Sequence, residues 1–116
     1  MIIKVEAIVR EDKLDDVIDA LTNAEVNGIT VSQIMGHGVQ KGYTELVRGQ
    51  EVIVTLSPKI KFEIVVSSEE WEKKVISAIK AAAFTGEVGD GKIFSYDLRG
   101  ALRIRTGETD YDALNP

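Results

Sequence analysis

Two short stretches in the last third of the chain combine glycine with positively charged side chains. Three glycines and Lys92 lie in residues 85–94, and Arg103 and Arg105 lie two apart in residues 103–108. Glycine lets a backbone approach a ligand closely and point N–H groups at an anion. On an extended segment both guanidinium groups would project to one face, where they suit phosphate oxygens. The stretches suit a polyphosphate site without a P-loop motif, although the pattern alone slightly favours a glycine-rich turn before a solvated basic strand.

Length and composition predict a single domain spanning residues 1–116. The chain is 44% hydrophobic and 28% charged, which is ordinary for a globular protein with one core. Its net charge of -5 argues against nucleic acid as a partner. The sequence has no cysteine, and His37 is its one histidine, which excludes thiolate and histidine-rich metal sites. No stretch has the length of a membrane span, and the amino-terminal run is unlike a signal peptide, so we expect a cytoplasmic protein.

Hydrophobic periodicity predicts four strands and two helices. Apolar residues alternate in the strands, and they recur with helical spacing from Leu14 to Leu21 and from Trp71 to Ala83. Ser67 and Glu70 form a capping box at the start of the second helix. A short extended piece is expected at 101–105, and the polar tail 109–116 is expected to be frayed. The predicted strands cover residues 2–10, 29–36, 59–66 and 92–98.

The order βαββαβ indicates an α+β domain of the ferredoxin-like type. Helices would cover one face of a four-stranded antiparallel sheet, and the other face also needs a cover. Since the chain offers no second layer, we expect an oligomer. Residues 37–56, between the second and third strands, are longer than a hairpin needs. A loop of that length is usually functional or disordered, and a partner-binding loop is the preferred interpretation over a solvated excursion.

Several sequence blocks, in order, resemble the PII signalling family. They include Gly28-Ile-Thr-Val-Ser32, Gly38-Val-Gln-Lys-Gly42, Leu56-Ser-Pro-Lys59 and, most specifically, residues 85–94 with 103–108. The resemblance implies a ferredoxin-like homotrimer that binds ATP or ADP in clefts between subunits. It also implies 2-oxoglutarate bound beside ATP through magnesium, and a long T-loop at 37–56 that docks on an ammonium transporter or a nitrogen-metabolism enzyme. Members are sensors, so no enzymatic activity is expected.

The resemblance also implies roles for individual residues. Gln40 would ligate magnesium, and Lys59 would pair with a carboxylate of 2-oxoglutarate, whose site is completed by Lys41 and Gly42. The T-loop positions that would face a partner are Tyr43, Glu45, Arg48 and Val52. Nucleotide contacts are implied for Thr30, Gly36, Gly38, Glu63, Val65, Gly89, Asp90, Gly91, Lys92, Arg103 and Arg105.

The chain departs from the family pattern within the same loop. Val52 occupies the position where many members carry a tyrosine that is nucleotidylylated, and Gln50 occupies the position of a serine that other members phosphorylate. Val39 replaces a basic residue that helps bind the terminal phosphate, and His37 replaces a residue that is often aromatic. Two alternatives therefore stay open: a divergent nucleotide-binding regulator that does not respond to 2-oxoglutarate, and a small phosphoryl-transfer enzyme, for which rigidly placed catalytic groups are missing.

Overall fold

The computed structural model describes residues 1–37, 44–47, 50–53 and 56–114, with the side chains of 44–47 and 50–53 left undescribed. Strand β1 is followed by a 3-10 turn, Glu11–Lys13, and then by the first helix. The strands are β1 (Ile2–Arg10), β2 (Thr30–His37), β3 (Thr44–Val47), β4 (Gln50–Ile53), β5 (Leu56–Val66) and β6 (Gly91–Leu98), and the helices are α1 (Leu14–Asn23), α2 (Glu69–Ala83) and α3 (Tyr111–Leu114).

Four strands form one antiparallel sheet in the order β2-β5-β1-β6. Alternate residues of β1 and β5 are buried on one face, where they pack against apolar residues of α1 and α2. Phe62, Leu21 and Ile79 are fully buried at the centre of this core. The sheet order and the two covering helices confirm the predicted ferredoxin-like α+β fold.

The opposite face of the sheet carries charged side chains in a regular array. Register places Glu6 opposite Glu63 on neighbouring strands, with Lys4 and Lys61 on the diagonals. The ammonium nitrogen of Lys4 lies 3.1 Å from a carboxylate oxygen of Glu63, and that of Lys61 lies 3.6 Å from the same oxygen. These four side chains are 21–29% exposed. Two lysines and two glutamates therefore neutralise one another on the face that was predicted to need a cover.

The segment between β2 and β5 contains regular structure that the sequence reading did not predict. Strands β3 and β4 pair in an antiparallel hairpin, with Thr44 opposite Ile53 and Val47 opposite Gln50. Strand β5 begins at Leu56, three residues before its predicted start, because it pairs with the end of β2 as far as His37. The two ends of the 37–56 loop are thus joined as neighbours in the main sheet.

Both main helices end or begin differently from their sequence signals. Ser68, not Ser67, caps α2, since its hydroxyl accepts from the backbone N–H of Trp71 at 3.2 Å. The predicted capping box is therefore wrong by one residue. The third residue after Ser68 is Trp71, which is not a glutamate and has no side-chain acceptor to complete a capping box. Helix α1 ends with backbone bonds from Glu25 to Thr22 and from Val26 to Leu21, which is a Schellman motif. Glu25 takes the left-handed position, with φ 62°.

The carboxyl-terminal segment contains a turn and a short helix that the sequence patterns did not predict. Leu102 and Thr109 form a bridge around a turn in which the N–H of Gly107 bonds to the Arg103 carbonyl. Residues 104–106 turn, so the extended piece predicted for 101–105 is wrong beyond Arg103. Within the tail predicted to be frayed from 109, Tyr111–Leu114 form α3, and the fraying itself stays a prediction. The Asp110 N–H donates to the Ala101 carbonyl, and the Ala101 N–H donates to the Asp110 carboxylate, which holds this segment together.

Candidate functional site

A cavity of about 380 Å³ lies at one end of the charged sheet face. Strands β1, β2, β5 and β6 all contribute to it, together with the turn that precedes β6. Its walls include Gly36 and His37 at the end of β2, and Ser57 and Lys59 near the start of β5. The remaining walls include Val88, Gly89, Gly91 and Lys92. The cavity therefore gathers the glycine-rich stretch and both ends of the 37–56 loop.

Gly91 is required where the glycine-rich turn enters β6. It has φ 105°, and a Cβ atom built on it would lie 1.7 Å from the carbonyl oxygen of Ile8. No side chain fits at that distance, since this is well inside van der Waals contact. The close approach lets β6 pair with β1 directly after the turn, with Gly91 opposite Val9 and Lys92 opposite Ile8.

Asp90 folds the glycine-rich turn by accepting several hydrogen bonds. The backbone N–H groups of Thr85 and Gly86 each donate to its carboxylate at 2.9 Å, and the Thr85 hydroxyl also donates to it. These donors, the Thr85 hydroxyl above all, hold the pKa of Asp90 far below its ordinary value. Asp90 was predicted to contact nucleotide; its carboxylate accepts hydrogen bonds within the turn, and the nucleotide contact stays a prediction.

Two cations from neighbouring strands contact the same turn. Arg10 and Lys59 are directly opposite each other on β1 and β5. The Lys59 ammonium donates to the Gly89 carbonyl at 2.9 Å. The Arg10 guanidinium donates to the Val88 carbonyl at 2.7 Å and to an Asp90 carboxylate oxygen at 3.1 Å. Like charges placed side by side repel each other, so these acceptors stabilise the pair.

Sequence reasoning did not single out Arg10. Its signal was the alternation of β1, which places Arg10 on the same face as Lys4 and Glu6. The register that brings it beside Lys59 and the glycine-rich turn depends on strand pairing between distant parts of the chain. Lys59 and Lys92 place two positive charges in the wall of the cavity, while the Asp90 carboxylate is paired with Arg10. This local excess of positive charge, in a chain of net charge -5, can attract an anion.

The two arginines of the predicted phosphate site lie at the other end of the sheet. Residues 99–114 follow the end of β6, where Leu98 is opposite Ile2, and the Tyr111 hydroxyl lies 3.2 Å from the amino-terminal nitrogen. Six residues of β1 separate that end from Ile8 in the cavity, which is about 20 Å at the rise of a strand. Arg103 bonds to Glu108 at 3.2 Å and to the Ala113 carbonyl at 3.1 Å. One chain alone does not bring Arg103 and Arg105 to Lys92.

The residues predicted to contact base and ribose lie on the charged face, away from the cavity. Thr30 is directly opposite Glu63, and Val65 is two residues further along β5. Hydrogen bonding to Lys4 lowers the pKa of Glu63, so its carboxylate is held ionised. Glu63 is four residues, or about 13 Å, from Lys59 along the strand.

Part of the predicted site lies outside the described residues. This applies to Gly38, Gln40, Lys41, Gly42, Tyr43 and Arg48, and to the side chains of Glu45 and Val52 in β3 and β4. In the described part of the chain, the structure shows no group of three or more His, Cys, Asp or Glu residues that could hold a metal ion. A metal at this cavity would therefore depend on other ligands, such as a side-chain amide or oxygens of a bound anion.

No helix in the described ranges is long and apolar enough to cross a membrane.

Comparison with known proteins gives a consistent result. The family model for nitrogen regulatory protein P-II matches residues 2–108. The P-II protein of Pasteurella multocida is 50% identical over 111 residues, which is 96% of this chain and 98% of that protein. The P-II protein of Rhizobium etli is 52% identical over 110 residues, which is 95% of this chain and 97% of that protein.

A solved structure extends the likeness to three dimensions. The crystal structure of Arabidopsis thaliana PII bound to citrate matches with a TM-score of 0.75 and 38% identity. The match covers 97% of this chain and 91% of that chain.

Proposed function

Because the chain belongs to the nitrogen regulatory protein P-II family, we propose that it senses ATP, ADP and 2-oxoglutarate and passes the signal to a nitrogen-metabolism partner through residues 37–56. The observation that carries the proposal is the position of the anion-attracting cavity. His37 and Leu56, the two ends of the loop, are paired in the sheet, and the cavity is lined by His37 and by Ser57 next to Leu56. A ligand bound there contacts the base of the loop. The protein acts as a regulator and not as an enzyme.

Phosphate binding draws on groups from two copies of the chain. Lys92 and the backbone of Gly89 and Gly91 line the cavity of one copy. In that copy Arg103 and Arg105 follow the end of β6 that lies about 20 Å from Ile8 along β1, so the arginines that complete the phosphate site come from a neighbouring copy in a homotrimer. The assembly also covers the charged face, where Thr30, Glu63 and Val65 contact the base and ribose. Light scattering should give about three times the chain mass of 12.7 kDa, and a monomer would contradict this arrangement.

The acid site is proposed beside the phosphate site. Lys59 lines the same cavity and is held with its ammonium group at the Gly89 carbonyl, where it can pair with a carboxylate. A Cβ atom on Gly36 would lie 3.2 Å from the Lys59 side chain, so glycine here leaves room for that lysine. Gln40, with the backbone of Lys41 and Gly42, would hold magnesium and the acid. Bound magnesium would supply positive charge between the anionic ligands.

Titration calorimetry with the assembled protein tests these assignments. We expect ATP and ADP to compete for three sites per trimer, and 2-oxoglutarate to bind only with ATP and magnesium. The requirement makes the coupling positive and reciprocal. Arg103→Ala should weaken ATP binding by more than about tenfold, since a hydrogen bond to a charged group contributes about 1.5–3 kcal/mol. Lys73→Ala, an exposed lysine on α2, is the control.

The outcomes of this titration are distinct. If Arg103→Ala binds ATP like the parent, the phosphate assignment is wrong. Tight 2-oxoglutarate binding in a chelator would exclude the magnesium bridge. If ATP binds but 2-oxoglutarate does not under any condition, the protein is the divergent regulator that Val39 favours. Citrate, named as bound in the Arabidopsis thaliana relative, is a useful competitor because it tests whether the site distinguishes a dicarboxylic from a tricarboxylic acid.

Signalling is proposed to need no covalent modification at the usual loop positions. Val52 and Gln50 have no hydroxyl group to modify. We expect a partner such as an ammonium transporter to bind in one ligand state and leave in another. Co-purification of the partner with ATP and 2-oxoglutarate, compared with ADP, tests this with parent and Arg48→Ala proteins. Binding that ignores both ligands and Arg48, or a nucleotidyl group on Tyr43, would overturn the proposal.

A further inference from the structure

Arg10 supports the glycine-rich turn from outside the residues that line the anion cavity. In the described part of the chain the cavity wall includes Gly89 and Gly91 but not Arg10, which lies beside a neighbouring cavity. Its guanidinium nevertheless donates to the Val88 carbonyl at 2.7 Å and to Asp90 at 3.1 Å. The peptide of Gly89 lies between these two acceptors. Arg10 therefore touches the turn on both sides of a cavity-lining residue.

The contact is specific to a guanidinium group. A Cβ atom on Gly89 would lie 3.3 Å from an Arg10 terminal nitrogen, so the planar group packs directly against that glycine. Two donors of a rigid fork reach the Val88 carbonyl and the Asp90 carboxylate together, whereas a lysine ammonium is a single point on a flexible stem. Asp90 links Arg10 to the start of the turn, because its carboxylate also accepts hydrogen bonds from the backbone N–H groups of Thr85 and Gly86.

We propose that Arg10 is a positioning residue that acts through Asp90 and Val88 to fix the backbone of Gly89 at the wall of the anion cavity. The proposal rests on the proposed function, since it assumes that ATP binds in this cavity. It assigns Arg10 no contact with the ligand. Its effect on affinity comes from the geometry of the turn and not from its charge.

ATP titration of the assembled protein separates geometry from charge. We expect Arg10→Lys, which keeps the charge, and Arg10→Gln, which removes it, to weaken ATP binding to a similar extent, by about tenfold for a lost charge-assisted contact. Lys73→Gln, which removes an exposed positive charge on α2, should bind ATP like the parent. If Arg10→Lys keeps the parent's affinity while Arg10→Gln loses it, the charge alone matters and the proposal is overturned.

A double-variant cycle tests whether Arg10 acts through Asp90. If it does, the double variant Arg10→Gln/Asp90→Asn should bind ATP no more weakly than the weaker-binding single variant. The reason is that both substitutions break the same contact between Arg10 and Asp90. Losses that multiply would mean that Arg10 acts independently of Asp90, which would refute positioning through that carboxylate.

Amide hydrogen exchange gives a readout that does not depend on ATP. In Arg10→Lys, the amides of residues 85–91 should exchange faster while those of the β1 and β5 core keep the parent's protection. Unchanged exchange in the turn would refute the positioning role of Arg10. If the parent binds no ATP but the turn exchanges faster in Arg10→Lys, the proposed function fails. The contact between Arg10 and the turn then stands as a local structural one.

Discussion

Replacing Gly91 with alanine should be among the most damaging single changes in the chain. The added Cβ would lie 1.7 Å from the Ile8 carbonyl oxygen, and atoms of this kind essentially never come closer than 3.0 Å. Strands β1 and β6 must then separate by more than about 1.3 Å at the point where Gly91 faces Val9. That movement stretches hydrogen bonds at the end of the ladder.

The magnitude follows from two terms. Holding a non-glycine residue at φ 105° costs about 1–3 kcal/mol. Losing one or two ladder hydrogen bonds costs about 1 kcal/mol each. The free energy of unfolding should therefore fall by about 2–5 kcal/mol, a large share of the roughly 5–15 kcal/mol typical of a domain.

Gly28→Ala is the matched control. Gly28 also has a positive φ, 71°, but a Cβ atom there would have no neighbour within 4 Å. It should lose only the conformational term, about 1–2 kcal/mol. Urea unfolding of both variants at one protein concentration, followed by the fluorescence of Trp71, measures the difference. Equal losses in the two variants would refute the close approach of Gly91 to Ile8.

Three further changes test separate features of the fold. Asp90→Asn should destabilise the protein at pH values above 3.8, the ordinary pKa of the carboxyl group. Because folding lowers this pKa, the difference in stability from the parent should shrink as the pH falls below 3.8, which acid unfolding curves measure. Glu25→Gly should raise the free energy of unfolding by about 1 kcal/mol, because glycine suits the left-handed position after α1. Phe62→Ala, at a fully buried position, should lower it by about 3–5 kcal/mol in urea titrations.

Local periodicity was enough to predict the layers of the fold. Alternation in β1 and β5 identified the buried face correctly, because a strand with one buried face repeats every two residues. The capping signal of α2 was placed one residue early because Ser67 and Ser68 are adjacent and either can act as an acceptor. Such errors concern the ends of elements and leave their faces unchanged.

Local sequence patterns could not predict which residues come together at the site. Arg103 and Arg105 were expected on one face of a strand, but the turn at 104–106 ends the alternation. Arg10 was overlooked because its neighbours come from β5 and from the turn before β6, about 50 and 80 residues away. Pairing between distant strands brings these groups together, and residue spacing within one segment does not reveal it.

The separation of Lys92 from Arg103 also links ligand binding to assembly. A single copy offers Lys59 and Lys92 at its cavity, whereas its Arg103 and Arg105 follow the opposite end of the sheet, about 20 Å away along β1. If the proposed site is shared between copies, an isolated chain holds only half of it and should bind ATP weakly. A ligand that prefers the assembled state stabilises that state by mass action. ATP should therefore raise the temperature of subunit dissociation and lower the protein concentration at which the trimer forms. In Arg103→Ala both effects should be reduced together, because the residue acts from the neighbouring copy. If ATP bound as tightly to a dissociated chain as to the assembly, each copy would hold a complete site and the shared arrangement would be wrong.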